Sequence, residues 1–272
     1  MIRLVSRLFA RGMPTYAHPG VSLAYGTAGF RAKAELLDST FFRMGALAVL
    51  RSRSRDGMAI GLMVTASHNA EPDNGIKLID PDGGMLDVSW EVHATALANA
   101  PDDSALLGSI AAVAAEVGLE ELPADELKAR LAAAQGAALE PMGAAAQVFI
   151  AMDTRPHSAR LAKIAAEGVR FAGGECTDYG ELTTPQLHHI VKYANGEAAS
   201  GKWCGPKEWA SEPGYYDMLT EAYTDLVPDD KEERCNSVVK GTPYMIPFER
   251  NELVSGAAGT PLAGGAARPR LD

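Results

Sequence analysis

The sequence predicts an α/β protein, a layered sheet with flanking helices. Short apolar runs that read as strands, MAIGLMVTAS and AAQVFIAMD, alternate with runs that read as helices, DSTFFRMGALAVLRSRSR and SARLAKIAAEGVRFAGG. The chain has 272 residues, 47% of them hydrophobic, which is enough to bury a sizeable core. No internal repeat competes with that alternation, and strands alternating with helices imply a largely parallel sheet.

The elements follow in order. VSLAYGTAGF alternates as a strand does and breaks at Gly26 and Gly29. The helix that begins near Asp38 has Asp38 or Ser39 as N-cap, and its basic residues gather at the C-terminal end, where the dipole favours them. MAIGLMVTAS is an apolar run bounded by turn residues, hence a buried strand, and GIKLI is the strand that follows. VSWEVHATALANA reads as a helix capped by Asp87 or Ser89. Residues 104–146 are alanine-rich and broken at Pro123, Gly136 and Pro141, which predicts two modest surface helices. AAQVFIAMD is a strand ending at Asp153. The helix from Ser158 closes at Gly173 and Gly174, a C-cap signal. ECTDYGELTTPQLHHIVKYANG reads as strand, turn and helix. EAASGKWCGPKEWASEPG is loop-like, and YYDMLTEAYTDLV is one more amphipathic helix.

The net charge of −10 argues against a general nucleic-acid or anionic-membrane binder. Any anionic ligand must be held by local basic residues. Cys176, Cys204 and Cys235 lie far apart without a C-x-x-C pair, which fits a reducing compartment, the cytoplasm, and gives no zinc signature. His18, His93, His157, His188 and His189 have no metal-ligand spacing. No stretch of about 18 uncharged apolar residues exists to span a membrane.

Four stretches carry chemistry. In VTASHN, Ser67 follows an apolar strand, and ligands of α/β sheets gather where loops leave the strand ends. It reads as a nucleophile or phosphate carrier, or else as a turn serine that bonds its own backbone. A serine hydrolase is excluded locally, because there is no G-x-S-x-G elbow and neighbours in an extended segment do not face each other. In DNGIK, the Asp73-Asn74-Gly75 run signals a turn, and Lys77 then enters an apolar strand. A partly desolvated lysine there can exchange protons; the alternative is a strand-edge lysine that points to water. In GTAGFR, the glycines allow close backbone approach and Arg31 can fork onto phosphate oxygens. In MDTRP, Pro156 starts a helix, and Asp153 and Arg155 lie at a strand end. The helix dipole disfavours a bare arginine there, which points to an anionic or carboxylate partner.

Together YGTAGFR, VTASHN, DNGIKLIDP, DTRP and DYGELTTPQLHH, in this order, resemble the α-D-phosphohexomutase superfamily. The wording of GTAGFR and LTTPQLH, and FRMGALAVLRS ahead of MVTASHN, is similar to its N-acetylglucosamine-phosphate branch. The resemblance covers about residues 14–227 and implies the first of the family's four domains. It implies an isomerase that interconverts the 6-phosphate and 1-phosphate of N-acetylglucosamine through a phosphoserine and a bisphosphate intermediate, on the route to UDP-N-acetylglucosamine. Ser67 is then the phosphoserine, and His68 and Lys77 are the acid/base candidates. Arg31 lies in the active site, and Thr65, Asn69 and Arg155 contact substrate or phosphate. Mg2+ bridges the phosphoserine on Ser67 to a D-x-D-x-D-R loop of the second domain. The partner implied is a phosphosugar, not nucleic acid or membrane.

Several features depart from the family pattern. Ala70 stands where the family usually has proline, so the bend should lose stiffness. Ala151 and Met152 stand where it usually has Gly-Arg, which removes one basic residue. D-x-D-x-D-R, the sugar-recognition loop and R-x-S-G-T-E are not found. The expected organisation is an arginine-rich leader over 1–19, domain I over 20–196, a linker and helix over 197–227, and a disordered tail over 228–272. On that reading the 272 residues form a truncated mutase. The alternative is a non-catalytic single-domain remnant that binds phosphate or a protein partner.

Overall fold

The computed structural model describes residues 16–117, 145–201 and 205–226. The leader up to residue 15, the second alanine-rich helix, Cys204, Cys235 and the tail from Pro228 lie outside the described residues. The chain divides into two compact units, Met1–Thr220 and Glu221–Asp272. Of the second, only residues 221–226, the end of a helix, are described.

The elements are β1 (Phe30–Lys33), α1 (Asp38–Arg53), β2 (Ile60–Val64), β3 (Asp73–Ile79), α2 (Val88–Ala98), α3 (Asp103–Glu116), β4 (Gln147–Met152), α4 (Ser158–Phe171), β5 (Glu175–Glu181), α5 (Thr184–Asn195) and α6 (Glu212–Leu226). The sheet order is β1-β3-β2-β4-β5. β2, β4 and β5 run parallel, while β3 is antiparallel to both β1 and β2. The α/β class therefore holds, but the sheet is mixed and not largely parallel. The segment between β2 and β3, residues 65–72, is too short for a crossover, which needs a dozen or more residues, so β3 returns antiparallel.

All five residues of β2 are buried, as expected of a central strand covered on both faces. One face carries a core that includes Phe41, Leu47, Leu62, Leu78, Val148 and Leu161, under α1, α2, α3 and α4. The other holds Met63, Ile79, Phe149, Ala151, Leu187 and Val191, under α5. This makes an α/β/α sandwich. β5, with its ECTDYGE pattern, is a largely exposed edge strand.

Several local expectations change. The segment before Gly29 is not a strand. It lies along α2, where Asn99 gives Leu23 both hydrogen bonds of a strand partner and Thr95 Oγ1 accepts the Tyr25 amide. α1 has Leu37 as its N-cap with no side-chain cap, and Asp38 instead pairs with Arg160. α2 is capped by Asp87, as expected. α3 is not a surface helix alone, since Leu106, Ile110, Val113 and Ala114 are buried. Pro156 sits in the turn before α4, which starts at Ser158. The Asp73-Asn74-Gly75 run is no turn but the start of β3.

Two buried arginines, invisible as such in the sequence, tie the α1 layer together. Arg43 Nη1 donates to the carbonyls of Leu97, Ala98 and Ala100 at the C-terminal end of α2, where a cation meets the dipole. Arg51 forks onto Asp80 through Nε and Nη2 and lies over the Trp90 ring. Among the described residues, no helix is long and apolar enough to cross a membrane.

α1 and α4 touch backbone to backbone. A Cβ on Gly168 would stand 1.9 Å from the Phe42 carbonyl oxygen, and one on Gly45 would stand 2.1 Å from that of Ala165. Alanine normally stabilises a helix interior by about 1 kcal/mol over glycine. Here overpacking, typically about 1–3 kcal/mol, opposes that gain, and a contact of 1.9 Å with rigid backbone puts it in the upper part of that range. Gly168→Ala is therefore expected to destabilise by about 1–2 kcal/mol in denaturant unfolding. An unchanged or raised midpoint would refute the close-packing argument.

Candidate active site

The site grows from the point where β2 and β4 end together. Val64 is opposite Met152, and the Asp153 amide donates to the Val64 carbonyl at 3.0 Å. The two loops that follow, 65–72 and 153–157, therefore leave the same edge side by side.

Thr65 continues the β2–β3 ladder by donating its amide to Gly75. Its buried hydroxyl donates to Asp153 Oδ2 at 2.8 Å and accepts the Ser67 amide at 3.0 Å. Ser67 is exposed and has φ of 48°, a left-handed conformation that costs a non-glycine residue about 1–2 kcal/mol. The Asn69 amide closes a turn onto the Ala66 carbonyl. His68 is exposed beside Ser67 and makes no hydrogen bond among the described residues.

Lys77 lies opposite Met63 on β3, and Arg31 lies opposite Gly75 on β1. Alternation puts both side chains on the face that also carries Thr65. Gly75 is needed there, since a Cβ would meet the Phe30 carbonyl at 2.3 Å and Arg31 Cγ at 3.0 Å. Arg31 Nη1 donates to Asn69 Oδ1 at 3.3 Å, while its buried Nε has no partner. Lys77 has no hydrogen bond or ion pair among the described residues. Burial, and then the Arg31 charge, pull its pKa below the ordinary lysine value. Among the described residues neither cation has a carboxylate partner; Arg31 is tied to the Ser67 loop through Asn69, and Lys77 shares the sheet face that carries Thr65.

Arg155 is placed differently from the expectation of a phosphate contact. Its Nε donates to Asp153 Oδ2 at 3.0 Å. Nη1 donates to the carbonyls of Ala70, Glu71 and Asp73, and Nη2 to those of Ser67 and Asn69. Every nitrogen of the guanidinium faces protein oxygen. Asp153 accepts from Thr65, from Ser158 and from the Arg155 amide and side chain. Burial raises its pKa, but the Ser158 and Thr65 hydrogen bonds, the Arg155 amide and the Arg155 charge outweigh burial and leave it lowered.

Sequence reasoning missed three supporting residues. Asn74 is fully buried and donates to His157 Nδ1 at 2.8 Å and to Ser158 Oγ at 2.9 Å. Because Nδ1 accepts, His157 carries its proton on Nε2 and donates it to the Glu71 carbonyl. The available signal was an asparagine at what proved to be a buried strand position. An open cleft of about 410 Å³ lies over Ser67, Asn69, Asp153 and Arg155. A second, of about 630 Å³, continues over Met63, Met152 and the start of α5.

The described residues contain no cluster of three or more histidine, cysteine or acidic side chains fit to hold a metal ion. Asp153, the carboxylate bonded to Thr65, already has both oxygens hydrogen-bonded. These residues do not build a magnesium site by themselves.

Comparison with known proteins bears on the same residues. The family described as phosphoglucomutase/phosphomannomutase, alpha/beta/alpha domain I, matches residues 25–103 and 112–201. The chain is 44% identical over 213 residues to the phosphoacetylglucosamine mutase of Sus scrofa, covering 78% of this chain and 34% of that protein. It is 44% identical over 207 residues to that of Homo sapiens, covering 76% and 33%. The chain thus spans about a third of the length of these curated relatives. An N-acetylglucosamine-phosphate mutase crystal structure in the apo form superposes with a TM-score of 0.63 at 31% identity, covering 83% of this chain and 43% of that one. Aspergillus fumigatus N-acetylphosphoglucosamine mutase in complex with GlcNAc-6P and magnesium gives 0.62 at 35%, covering 84% and 36%.

The Lys77 environment has a consequence for stability. Its pKa is lower in the folded chain than the ordinary value of about 10.4, so folding holds this proton less tightly than the unfolded chain does. The resulting destabilisation is full below the folded pKa and fades as pH rises towards about 10.4. Lys77→Met is expected to raise the midpoint of unfolding at neutral pH, with a gain that shrinks in alkaline buffer. A loss of stability at neutral pH would mean that Lys77 has a stabilising partner.

Proposed function

This chain belongs to the phosphoglucomutase/phosphomannomutase family, and we propose that it carries the phosphoserine centre of a phosphoacetylglucosamine mutase, with Ser67 as the phosphoryl carrier. The observation that carries this reading is an exposed serine on a strained turn at the end of β2, with two cations, Arg31 and Lys77, on the same face of the adjoining strands and without a carboxylate partner among the described residues. A phosphoserine brings about −1.5 to −2 charges at neutral pH. A protein of net charge −10 needs local positive charge to accept it.

In the forward direction a hydroxyl of N-acetylglucosamine 6-phosphate attacks phosphorus on Ser67. The new P–O bond forms as the Ser67 Oγ–P bond breaks, giving a bisphosphate. The attacking hydroxyl loses its proton to a base, and Oγ leaves as the alkoxide or takes a proton. The bisphosphate then reorients and returns its other phosphoryl group to Ser67. Lys77 suits the proton transfers, because its lowered pKa brings it nearer the working range. His68, exposed beside Ser67, is the second candidate. Arg31 neutralises charge on the transferring group, and its bond to Asn69 aims it at the Ser67 loop. Such transfer depends mainly on alignment and charge neutralisation. Magnesium, held by the Aspergillus relative with GlcNAc-6P, would supply further charge neutralisation, and the contribution of these residues to it would be a phosphoryl oxygen on Ser67.

Incubation of the chain with a radiolabelled hexose bisphosphate and magnesium is expected to label Ser67, and Ser67→Ala is expected to take up no label. Lys77→Met should slow labelling by roughly 10²–10⁴, the usual contribution of a positioned acid/base group. Label on another residue, or undiminished label in the Ser67→Ala chain, would overturn the assignment.

A further inference from the structure

Arg155 raises a question that the phosphoserine reading does not answer. An arginine beside a phosphate-transfer site is an obvious anion ligand, yet all of its donors are taken by the protein. We propose that Arg155 and Asp153 are positioning residues for Ser67: the guanidinium gathers the carbonyls of the Ser67 loop and so fixes the place and angle of Oγ. The proposal rests on Ser67 being the phosphoryl carrier.

The geometry supports it in two ways. First, the contacts start at the serine and run along the chain beyond it. Arg155 takes the carbonyls of Ser67, Asn69, Ala70, Glu71 and Asp73, at 2.7–3.3 Å. A loop with that many carbonyls on one planar fork has little freedom to shift. Second, Asp153 works on both ends of the loop. It orients Arg155 through Nε and holds Thr65, whose hydroxyl accepts the Ser67 amide. Ser67 is therefore held on its amide side through Thr65 and on its carbonyl side by Arg155. This supplies the compensation that a left-handed, non-glycine residue requires. Arg155 then acts on the phosphate through the loop and not by contact.

Lysine is the informative replacement. It keeps the charge but has only three donors on a single nitrogen and no planar fork. Arg155→Lys in the 272-residue chain is expected to lower the maximal rate of Ser67 labelling by about 10²-fold, the usual cost of a misplacement near 1 Å. The half-saturating hexose bisphosphate concentration should change little. In Arg155→Ala, added guanidinium ion should restore part of the rate, while ammonium should not. Hydrogen exchange, which needs no activity, is the second readout. The loop 65–73 should exchange roughly tenfold faster or more in Arg155→Ala, since the hydrogen bonds that hold its carbonyls are lost. β2 and β4 should stay protected. A raised half-saturating concentration at unchanged maximal rate would overturn the proposal and make Arg155 a phosphate ligand. Unchanged loop exchange in Arg155→Ala would overturn it too, whether or not Ser67 takes label. Absence of label in the parent chain together with faster loop exchange in the variant would count against the phosphoserine reading and leave the clamp standing.

Discussion

The site depends on one pairing, the parallel register of β2 with β4. The strands are distant in sequence, and the bond from the Asp153 amide to the Val64 carbonyl makes them end at the same level. Everything near Ser67 follows from that coincidence. Thr65 meets Asp153 because each is the first residue beyond its strand. Arg155 reaches the Ser67 loop because its own loop leaves the sheet beside it. A register slip of one residue would turn Thr65 and Asp153 to opposite faces and undo both contacts.

The short return to β3 adds the charge. Because residues 65–72 cannot cross over the sheet, β3 lies against β2 and brings Lys77 opposite Met63. β1 then adds Arg31 opposite Gly75. Among the described residues neither cation has a carboxylate partner, while other basic groups nearby do: Lys33 pairs with Asp73 and Arg155 with Asp153. On the proposed reading this division has a use. Groups that support the loop are neutralised within the protein, and those that would meet an anion are left with unbalanced charge, at a cost in folding stability.

The sequence made the layers legible because burial leaves periodic traces. β2 and β4 are apolar runs, and α4 carries its buried face at helical spacing. Strand direction was less legible, since it depends on the length of a connection whose ends must first be placed. The misreading of Asp73-Asn74-Gly75 as a turn moved one such end. In solution that tripeptide favours a turn. Here the Asn74 side chain bonds the Gly75 amide, His157 and Ser158, and buried polar satisfaction overrides local preference. Ser67, Lys77 and Arg31 could be singled out as candidates only because their motifs occur together and in order, since each alone also reads as an ordinary turn or strand residue. The placement of Arg155 was not, because a charged side chain in a sequence does not reveal whether its partners are ligand or backbone.

Ala70 shows how the two levels fit together. An alanine at a bend where the resemblance implies proline should loosen it, because proline restricts φ before any contact is made. The structure supplies rigidity by another route. The Ala70 carbonyl accepts from both Arg155 Nη1, at 2.7 Å, and the Asp73 amide, at 3.0 Å. The Glu71 carbonyl beside it accepts from Arg155 and from His157. Proline limits the unfolded chain as well as the folded one, whereas these hydrogen bonds act only once β2 and β4 have paired. The bend is therefore as rigid as the register that supports it. A substitution at Ala70 and one at Arg155 are coupled through this shared carbonyl, so their effects on the loop should not add.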